Sequence, residues 1–228
     1  MITVIYIWQI KRTPLAVLRA LRHMSADRRE LKSDPAISFF KLLGTGSGQT
    51  FTPKDADAYT WALLVTIDEH ELERFDQSEN IVAWRAIARN EVRLLAQPLA
   101  AHGAWSGSNP FEYSHEIASD WSGPILAITR AKIAWLKNLT FWSAVPPVTV
   151  SLRSNPGLLQ AIGIGEAPLG LQGTLSLWQD AKSLRAFAYQ GEAHTRVIEA
   201  TAQENWYVEE LFARFALIAQ RGELLLAE

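Results

Sequence analysis

The chain of 228 residues contains no cysteine. This absence excludes disulfide bonds, iron–sulfur clusters held by the chain, thiolate-ligated metal centres and cysteine nucleophiles. No apolar run approaches the roughly 18 residues that a membrane-spanning helix needs. The apolar start Met1–Ile10 has no basic stretch before it and is interrupted by Lys11 and Arg12, unlike a signal peptide. We therefore expect a cytoplasmic protein.

An excess of positive charge is also missing. The net charge of −2 gives no electrostatic footprint for nucleic acid. The short basic clusters Lys11-Arg12 and Arg28-Arg29 are interpreted as solvated surface. None of the five histidines forms a HxH, HxxxH or HExxH pair, so no local multi-ligand metal site is predicted. Gly44-x-Gly46-x-Gly48 does not fit the dinucleotide fingerprint, because its third glycine comes too early and a strand follows it.

The order of predicted elements occurs twice along the chain. The paired segments are Val4–Lys11 with Ile125–Lys132, Gly44-Thr45-Gly46 with Gly163-Ile164-Gly165, and Trp61–Asp68 with Thr174–Asp180. Four strands and two main helices in each half make the ferredoxin-like plan. Two such tandem repeats can pair their sheets into one intrachain α+β barrel of the dimeric type. We predict residues 1–103 as the first repeat, 104–124 as a linker that packs down through its aromatic residues, and 125–228 as the second repeat.

Local patterns predict the individual elements. Helices are predicted over Pro14–Met24, Glu69–Arg89, Ala181–Tyr189, Ala193–Thr201 and the beginning of Trp206–Phe215. Ala26–Pro35 is polar and is predicted as a loop or a frayed helix end. Pro98 predicts an edge or a bulge within the strand Val92–His102. Nine tryptophans indicate either a well-filled core or a cavity lined for a flat or long apolar ligand.

Arg130 lies in the middle of the apolar strand Ile125–Ile133. If it points into the barrel, an unpaired cation there would be costly, so it would need a carboxylate from the protein or from a ligand. Alternatively, Arg130 lies on the solvent face of an edge strand. Glu209 and Arg214 have a spacing that is typical of an ion pair along a helix. No Ser/His/Asp order and no close carboxylate pair indicates a hydrolase.

His194 differs from the other histidines. In a helix over Ala193–Thr201 it would share a face with Val197 and Ile198. An imidazole among apolar side chains is either a satisfied core residue or a ligand. A single neutral imidazole on an apolar wall is also what axial haem ligation needs.

Six collinear strings between about residues 4 and 220 resemble the spheroidene monooxygenase family of carotenoid ketolases. They are Phe40-Lys41-Leu42-x-Gly44-Thr45-Gly46-x-Gly48 followed by Phe51-Thr52-Pro53; Gly103-x-Trp105-Ser106-Gly107 with Pro110-Phe111; Leu126-Ala127-x-Thr129-Arg130-Ala131; Ile162-Gly163-Ile164-Gly165-Glu166-x-Pro168-Leu169; His194-x-Arg196-x-Ile198; and Trp206-x-x-Glu209-Glu210-Leu211-Phe212-Ala213-Arg214-Phe215.

The resemblance implies a haem b protein that uses dioxygen and electrons from a reduced ferredoxin. Its substrate would be an acyclic carotenoid, oxidised beside the tertiary methoxy end; successive hydroxylations of one carbon give a ketone after loss of water. The resemblance also implies that His194 is the axial ligand of the iron. Arg130, Arg196 and Arg214 become candidate partners of the haem propionates or structural partners, and Lys41 is a further candidate.

Other possibilities stay open at this stage. A haem- or lipid-binding barrel without turnover, or a cofactor-free oxygenase on the same fold, would share these features, and relatives could act on other apolar molecules. Because the expected substrate lives in lipid, peripheral membrane contact through an exposed aromatic patch is a further expectation. An internal pseudo-dimer removes the need for a homodimer without excluding one.

Overall fold

The computed structural model describes residues 1–49, 55–111, 121–133, 149–166, 173–190 and 207–223. Its strands are β1 (Ile2–Ile10), β2 (Ile37–Gly46), β3 (Ala56–Ile67), β4 (Ala88–Gly103), β5 (Ile125–Ile133), β6 (Leu158–Gly165), β7 (Gly173–Trp178) and β8 (Tyr207–Arg221). Its helices are α1 (Pro14–Ser33), α2 (Leu72–Asp76), α3 (Glu79–Ile87) and α4 (Ala181–Gln190), with a 3₁₀ turn at Glu69–Glu71 and helical residues at 149–153.

The strands form one closed barrel in the order β1-β3-β2-β6-β7-β5-β8-β4, with every pairing antiparallel. Each half contributes four strands in the same order, β4-β1-β3-β2 and β8-β5-β7-β6. The halves join through β4–β8 and through a short β2–β6 pairing. Closure leaves no sheet edge exposed. The predicted α+β barrel of two ferredoxin-like repeats within one chain is confirmed, while the proposed linker boundaries stay a prediction.

The glycine-rich end of β2 allows the two halves to approach closely. Gly48 has a φ of +68°, and a Cβ at this position would lie 2.5 Å from the carbonyl oxygen of Ala161. The side chain of Arg153 donates two hydrogen bonds to the Gly48 carbonyl, at 2.9 and 2.6 Å. The glycine motif therefore allows the backbones of the two halves to approach closely where the halves meet.

Apolar side chains fill the barrel interior. Every second residue of each strand points inward, as with Leu126 and Ile128 of β5. The connection after β4 also contributes: Trp105 and Phe111 are almost fully buried, and the Phe111 and Phe215 rings meet edge to face at 4.9 Å. The interior is thus a packed core among the described residues, so room for a ligand has to lie on an outer face.

The outer face of the first half is also filled, by an aromatic stack under α1 and α3. The Tyr6 and Trp8 rings lie 5.4 Å apart, and those of Trp8 and Trp84 lie 4.9 Å apart, both nearly parallel. Each polar ring atom has a carboxylate partner: Tyr6 donates to Asp76 at 2.9 Å, and Trp84 donates to Asp27 at 2.9 Å. Burial of these large rings with satisfied donors makes this face a major source of stability.

Helix α1 is longer than predicted, since it continues through the polar stretch to Ser33. The buried stripe that begins with Ala16 and Ala20 goes on to Asp27 and Leu31 at helical spacing. Asp27 lies on the buried face of α1, where it accepts a hydrogen bond from Trp84. A charged residue at this position interrupts the apolar pattern of the helix, and for this reason the sequence predicts a loop there.

Two other helix predictions need correction. The chain from Tyr207 onward is strand, not helix, because Glu209, Leu211 and Ala213 alternate with a period of two on the inner side of the barrel. The helix predicted over Glu69–Arg89 is divided into the 3₁₀ turn, α2 and α3, and β4 begins already at Ala88. The bulge predicted at Pro98 is present as a register shift. Within the described ranges, no helix has both the length and the apolarity to cross a membrane.

Candidate active site on the outer face of the second half

The outward-facing side chains in the middle of β5, β6 and β7 are small, while Ile125, Leu158 and Trp178 pack together at one end of these strands. We call this surface the second outer face. Its two central rows are Thr129–Thr174–Gly163 and Ala127–Ser176–Ala161. The inward orientation of Leu126 and Ile128 fixes the outward orientation of these β5 residues. A sheet face of glycine, alanine, serine and threonine leaves room for a partner close to the backbone.

The same positions in the first half carry large side chains. Strand pairing defines the equivalence, because β1 pairs with β3 as β5 pairs with β7. The equivalent pairs are Trp8–Trp61 with Thr129–Thr174, and Tyr6–Leu63 with Ala127–Ser176. The volume that three aromatic rings occupy over the first half is therefore not occupied by the equivalent side chains of the second. Thr129 is exposed, whereas Trp8 is fully buried.

Arg214 borders the second outer face. It pairs with Ala127 in register as Arg93 pairs with Tyr6 in the first half. Arg93 packs over the Tyr6 ring at 5.9 Å and forms an ion pair with Asp76. Arg214 is exposed, and no carboxylate among the described residues forms an ion pair with it. A cation beside an open face of small residues can bind a carboxylate of a ligand.

Part of the second outer face is already covered, since Ala127 is 5% and Ser176 7% exposed, and Ala127 belongs to a cluster that includes residues of helix α4. Leu184 and Phe187 pack near Trp178, and the Phe187 and Trp178 rings lie 5.3 Å apart. Beside this covered row Thr129 and Phe212 are exposed, the latter at 40%, whereas Ala131 further along β5 is buried. Among the described residues the exposed part of the face therefore lies around Thr129.

A buried charge cluster lies on the inner side of the same strands. It consists of Lys41, Arg130, Glu166 and Glu209. Arg130 donates to Glu166 at 2.9 Å and also forms an ion pair with Glu209. Lys41 donates to the other oxygen of Glu166 at 2.7 Å, and the Trp105 indole donates to Glu166 at 2.8 Å. The Arg130 side chain is only 7% exposed, so protein carboxylates neutralise a cation in the barrel interior.

The charge cluster also holds the connection that follows β4. Glu209 accepts hydrogen bonds from the backbone N–H groups of Ser106 and Gly107, at 3.1 and 2.7 Å. The Arg130 guanidinium lies 5.5 Å from the Trp105 ring. Among the side-chain atoms of the charge cluster, all of which the structure describes, only Nε of Arg130 is buried without a hydrogen-bond partner. The arrangement fixes β5, β8 and the Trp105 connection to one another.

Both glutamates of the charge cluster have a pKa below the ordinary value of 4.5. For Glu166, burial acts to raise the pKa, but hydrogen bonds from Lys41 and Trp105 and the nearby cations outweigh it. For Glu209, burial also acts to raise the pKa, and two backbone N–H groups and Arg130 outweigh it. The ionised form of each is therefore favoured by folding.

These shifts predict a pH dependence of stability. Because a depressed folded-state pKa stabilises the protein above the unfolded pKa, this contribution is present at pH 7 and is lost as the pH falls below about 4.5. We expect E209Q to have a lower melting temperature than the wild type at pH 7, with the difference shrinking between pH 4.5 and pH 3. Thermal unfolding monitored by circular dichroism measures this, with the exposed E69Q as control. A difference that stays constant with pH would contradict the prediction.

The residues predicted from the sequence occupy different places. Arg130 is on the inner side of the β5–β8 pair and Arg214 on the outer side, so the structure does not bring them together. The alternative that Arg130 faces solvent on an edge strand is wrong, because β5 lies between β7 and β8. Lys41 belongs to the charge cluster. His194 and Arg196 lie outside the described residues.

Sequence reasoning missed the roles of Glu166 and Glu209. Glu209 was predicted as part of a helical ion pair with Arg214, which is wrong because the strand directs the two side chains to opposite faces. The small residues of the second outer face were also missed. Their signal was present in the repeat, since Tyr6 and Trp8 align with Ala127 and Thr129.

A groove elsewhere on the molecule does not suit an apolar ligand. It measures about 700 Å³ and lies between the end of α1 and the start of α3. Its lining includes the carboxylates of Glu30, Asp34, Asp68 and Glu71, and Arg74 bridges two of them. An acidic lining of this kind disfavours transfer of a long apolar molecule from lipid.

No protein-family model matches the chain. Individual relatives do. The spheroidene monooxygenase of Rhodobacter capsulatus is 38% identical over 205 residues, which cover 89% of this chain and 84% of that protein. The spheroidene monooxygenase of Cereibacter sphaeroides is 35% identical over 209 residues, covering 90% of this chain and 64% of that protein.

Solved structures show the same fold at low identity. An aldoxime dehydratase in complex with butyraldoxime superposes with a TM-score of 0.59 at 11% identity, covering 95% of this chain and 79% of that one. A second aldoxime dehydratase gives a TM-score of 0.59 at 12% identity and covers 95% and 81% of the two chains. At this level of identity the likeness supports the barrel alone.

Kinship is established by the sequence relatives, since the identity extends over most of both chains and follows one order of segments. The relatives share a name that denotes an oxidoreductase, and this chain is an enzyme of that class. On this similarity, and with the barrel that the structure shows, the chain belongs to the spheroidene monooxygenase family.

Proposed function

We propose that the protein is a haem-dependent monooxygenase that oxidises an acyclic carotenoid with dioxygen and electrons from a ferredoxin-type donor. The relatives' name supports the substrate class. The observation that carries the proposal is the replacement of Tyr6 and Trp8 of the first half by Ala127 and Thr129 in the second. The first half fills this layer with aromatic rings, and among the described residues of the second half the layer has small side chains, exposed at Thr129, where a flat group would fit.

The residues of the second outer face fit a haem. A porphyrin needs a flat apolar surface, a cation for its propionates and an axial ligand for the iron. The small residues Thr129, Thr174 and Gly163 would supply the surface, and Arg214 would supply a cation that no carboxylate of the described residues neutralises. We propose His194 as axial ligand. It belongs to the chain between α4 and β8, two elements that border this face, and Arg196 belongs to the same stretch as a further propionate partner.

The reaction proposed for the site is hydroxylation of a C–H bond. One substrate carbon, one dioxygen, two electrons and two protons give an alcohol and water; a second hydroxylation of the same carbon and loss of water give a ketone. When bound, the haem would supply activation of dioxygen. The chain would hold the substrate beside the haem, keep water from the reacting carbon with apolar side chains, and bind the propionates through Arg214.

Arg130 has a structural role in this proposal. Its guanidinium is already paired with Glu166 and Glu209 on the inner side of the sheet. Lys41 is likewise engaged, with Glu166 and with Ser106 at 2.6 Å. The charge cluster would therefore hold the strands that frame the face, and the propionates would be bound from the outer side.

The visible absorption spectrum of protein produced with ample haem precursor tests the cofactor. We expect a Soret band that is lost or shifted in H194A and partly restored by added imidazole, because a small ligand can replace the missing side chain on the iron. R214Q should bind haem about tenfold more weakly, since one charge-assisted contact is lost. The exposed H70A is the matched control.

Each other outcome points to a different function. A colourless wild type that still oxidises carotenoid would indicate a cofactor-free oxygenase on this fold. A Soret band without product, despite a supplied reductant and carotenoid, would indicate a haem- or lipid-binding barrel without turnover. A spectrum unchanged in H194A would overturn the assignment of His194 as ligand.

A further inference from the structure

The first turns of α1 present leucines to solvent. The helix packs on the first half through one stripe that includes Ala16, Ala20 and Met24. On its other side Leu15, Leu18 and Leu21 are 57%, 64% and 43% exposed, so three large apolar side chains in successive turns face solvent. Helical periodicity would place polar residues there, because exposed leucines gain nothing from the fold.

Cations surround these leucines. The exposed basic residues of this segment are Lys11, Arg12, Arg19, Arg22, Arg28, Arg29 and Lys32. Between residues 11 and 32 the acidic residues are Glu30 and the buried Asp27. The whole chain has 22 basic and 24 acidic residues, so the positive charge of α1 contrasts with the net charge of the protein. We call Leu15, Leu18, Leu21 and these cations the α1 face.

We propose that the α1 face docks on the surface of an anionic lipid bilayer, with the three leucines inserted among the acyl chains. Lysine and arginine attract anionic headgroups, while exposed leucines on the same helix gain free energy only in an apolar medium. The leucines project from the outer surface of a helix, and a fluid bilayer can receive such a surface without a structured pocket. The positive charge and the exposed leucines of the α1 face thus both favour an anionic lipid bilayer.

This inference rests on the proposed function only in one respect: a carotenoid dissolved in lipid would reach an enzyme held at the bilayer surface. Binding to the bilayer itself needs neither haem nor substrate. The sequence alone suggested solvated basic clusters and an aromatic patch. The full length of α1 instead places Arg28-Arg29 on the same helix as the leucines, and Lys11-Arg12 lie directly before its first turn.

The absence of cysteine permits a site-specific test. An environment-sensitive fluorophore is attached to L18C and, as a matched control, to L159C, since Leu159 is a similarly exposed leucine on β6, at 56%. Vesicles of phosphatidylcholine with 30% phosphatidylglycerol, and vesicles of phosphatidylcholine alone, are added. We expect a blue shift for the L18C label with the anionic vesicles only, no shift for L159C, and loss of binding at high salt.

Two further variants test the electrostatic and the hydrophobic contributions to bilayer binding separately in a vesicle sedimentation assay. R19Q/R22Q should lower the partition coefficient about 30-fold, from about 1 kcal/mol for each cation near an anionic surface. L15S/L18S/L21S should lower it at least about tenfold with the cations intact. Unchanged melting temperatures confirm that both variants fold.

Several results would overturn the proposal. They are failure of the wild type to sediment with anionic vesicles, a blue shift at L159C instead of L18C, and leucine variants that bind as the wild type does. If analytical ultracentrifugation shows a dimer that L15S/L18S/L21S dissociates and vesicles do not bind, the α1 face is a contact between copies of the chain. Salt-sensitive binding of an acidic protein without vesicle binding would likewise replace the bilayer as occupant.

Discussion

A variant in which the second outer face receives the side chains of the first, A127Y/T129W, should fold but lose cofactor and turnover. In the first half Tyr6 and Trp8 fill the layer above the sheet by stacking at 5.4 Å. Placed on β5, the same rings would occupy the space that we assign to the haem. We expect haem content near zero and a kcat/KM for carotenoid oxidation that falls by roughly 100-fold or more.

The stability of this variant separates a blocked site from a damaged fold. At the exposed position 129 a tryptophan should leave the melting temperature of the haem-free protein unchanged, so T129W alone is measured as well. Ala127 is only 5% exposed, so the tyrosine in the double variant overpacks its neighbours and should lower the melting temperature. Arg214 would then lie beside the new tyrosine as Arg93 lies over Tyr6. A127S/T129S, which keeps the side chains small, is the matched control and should retain haem. Full haem content in A127Y/T129W would show that the cofactor lies elsewhere.

The second large effect is expected for R130M. Removal of this guanidinium leaves Glu209 without its cation and Glu166 with Lys41 alone, in a cluster that is largely buried. Breaking a buried ion pair by removing one partner costs about 3–5 kcal/mol, because the remaining charge stays desolvated. We expect a loss of this size in the free energy of unfolding of the haem-free protein, measured by urea denaturation at pH 7.

R74M is the matched control for R130M. Arg74 also bridges two carboxylates, Asp34 and Glu71, but its side chain is 53% exposed, so its loss should cost about 1 kcal/mol or less. The double variant R130M/E209Q should recover part of the lost stability by removing the unpaired charge. If R130M instead keeps its stability and loses haem, Arg130 contacts the propionates and its structural assignment fails.

The fold could largely be predicted because its signals are local and repeated. The strand at Ile125–Ile133 was predicted with the observed bounds, and the order of elements followed from matching two segments of one chain. The predictions failed where a charged residue is buried. Asp27 in α1 and Glu209 in β8 each accept a hydrogen bond from a residue far away in the sequence. A pattern of neighbouring residues instead indicates that such charged side chains are exposed to solvent or lie on the surface of a helix.

The charge cluster could not be predicted, for a reason of distance along the chain. Arg130 meets Glu166 and Glu209, which are 36 and 79 residues away, and Lys41 is 125 residues from Glu166. Strand register across the barrel decides these contacts, and no short motif encodes register. The small residues of the second outer face could have been predicted, because aligning the two repeats is enough to place Thr129 opposite Trp8.

Covalent fusion of the two halves has a consequence for how such a barrel can change. In a dimer of identical subunits, replacing the tryptophan equivalent to Trp8 by threonine would remove the aromatic ring from both outer faces at once. Both subunits would then be destabilised. In the single chain the aromatic stack of Tyr6, Trp8 and Trp84 remains while β5 carries alanine and threonine. One half can thus keep the protein stable while the sequence of the other half changes. A barrel of two similar halves can acquire one reactive face because the two halves are free to differ.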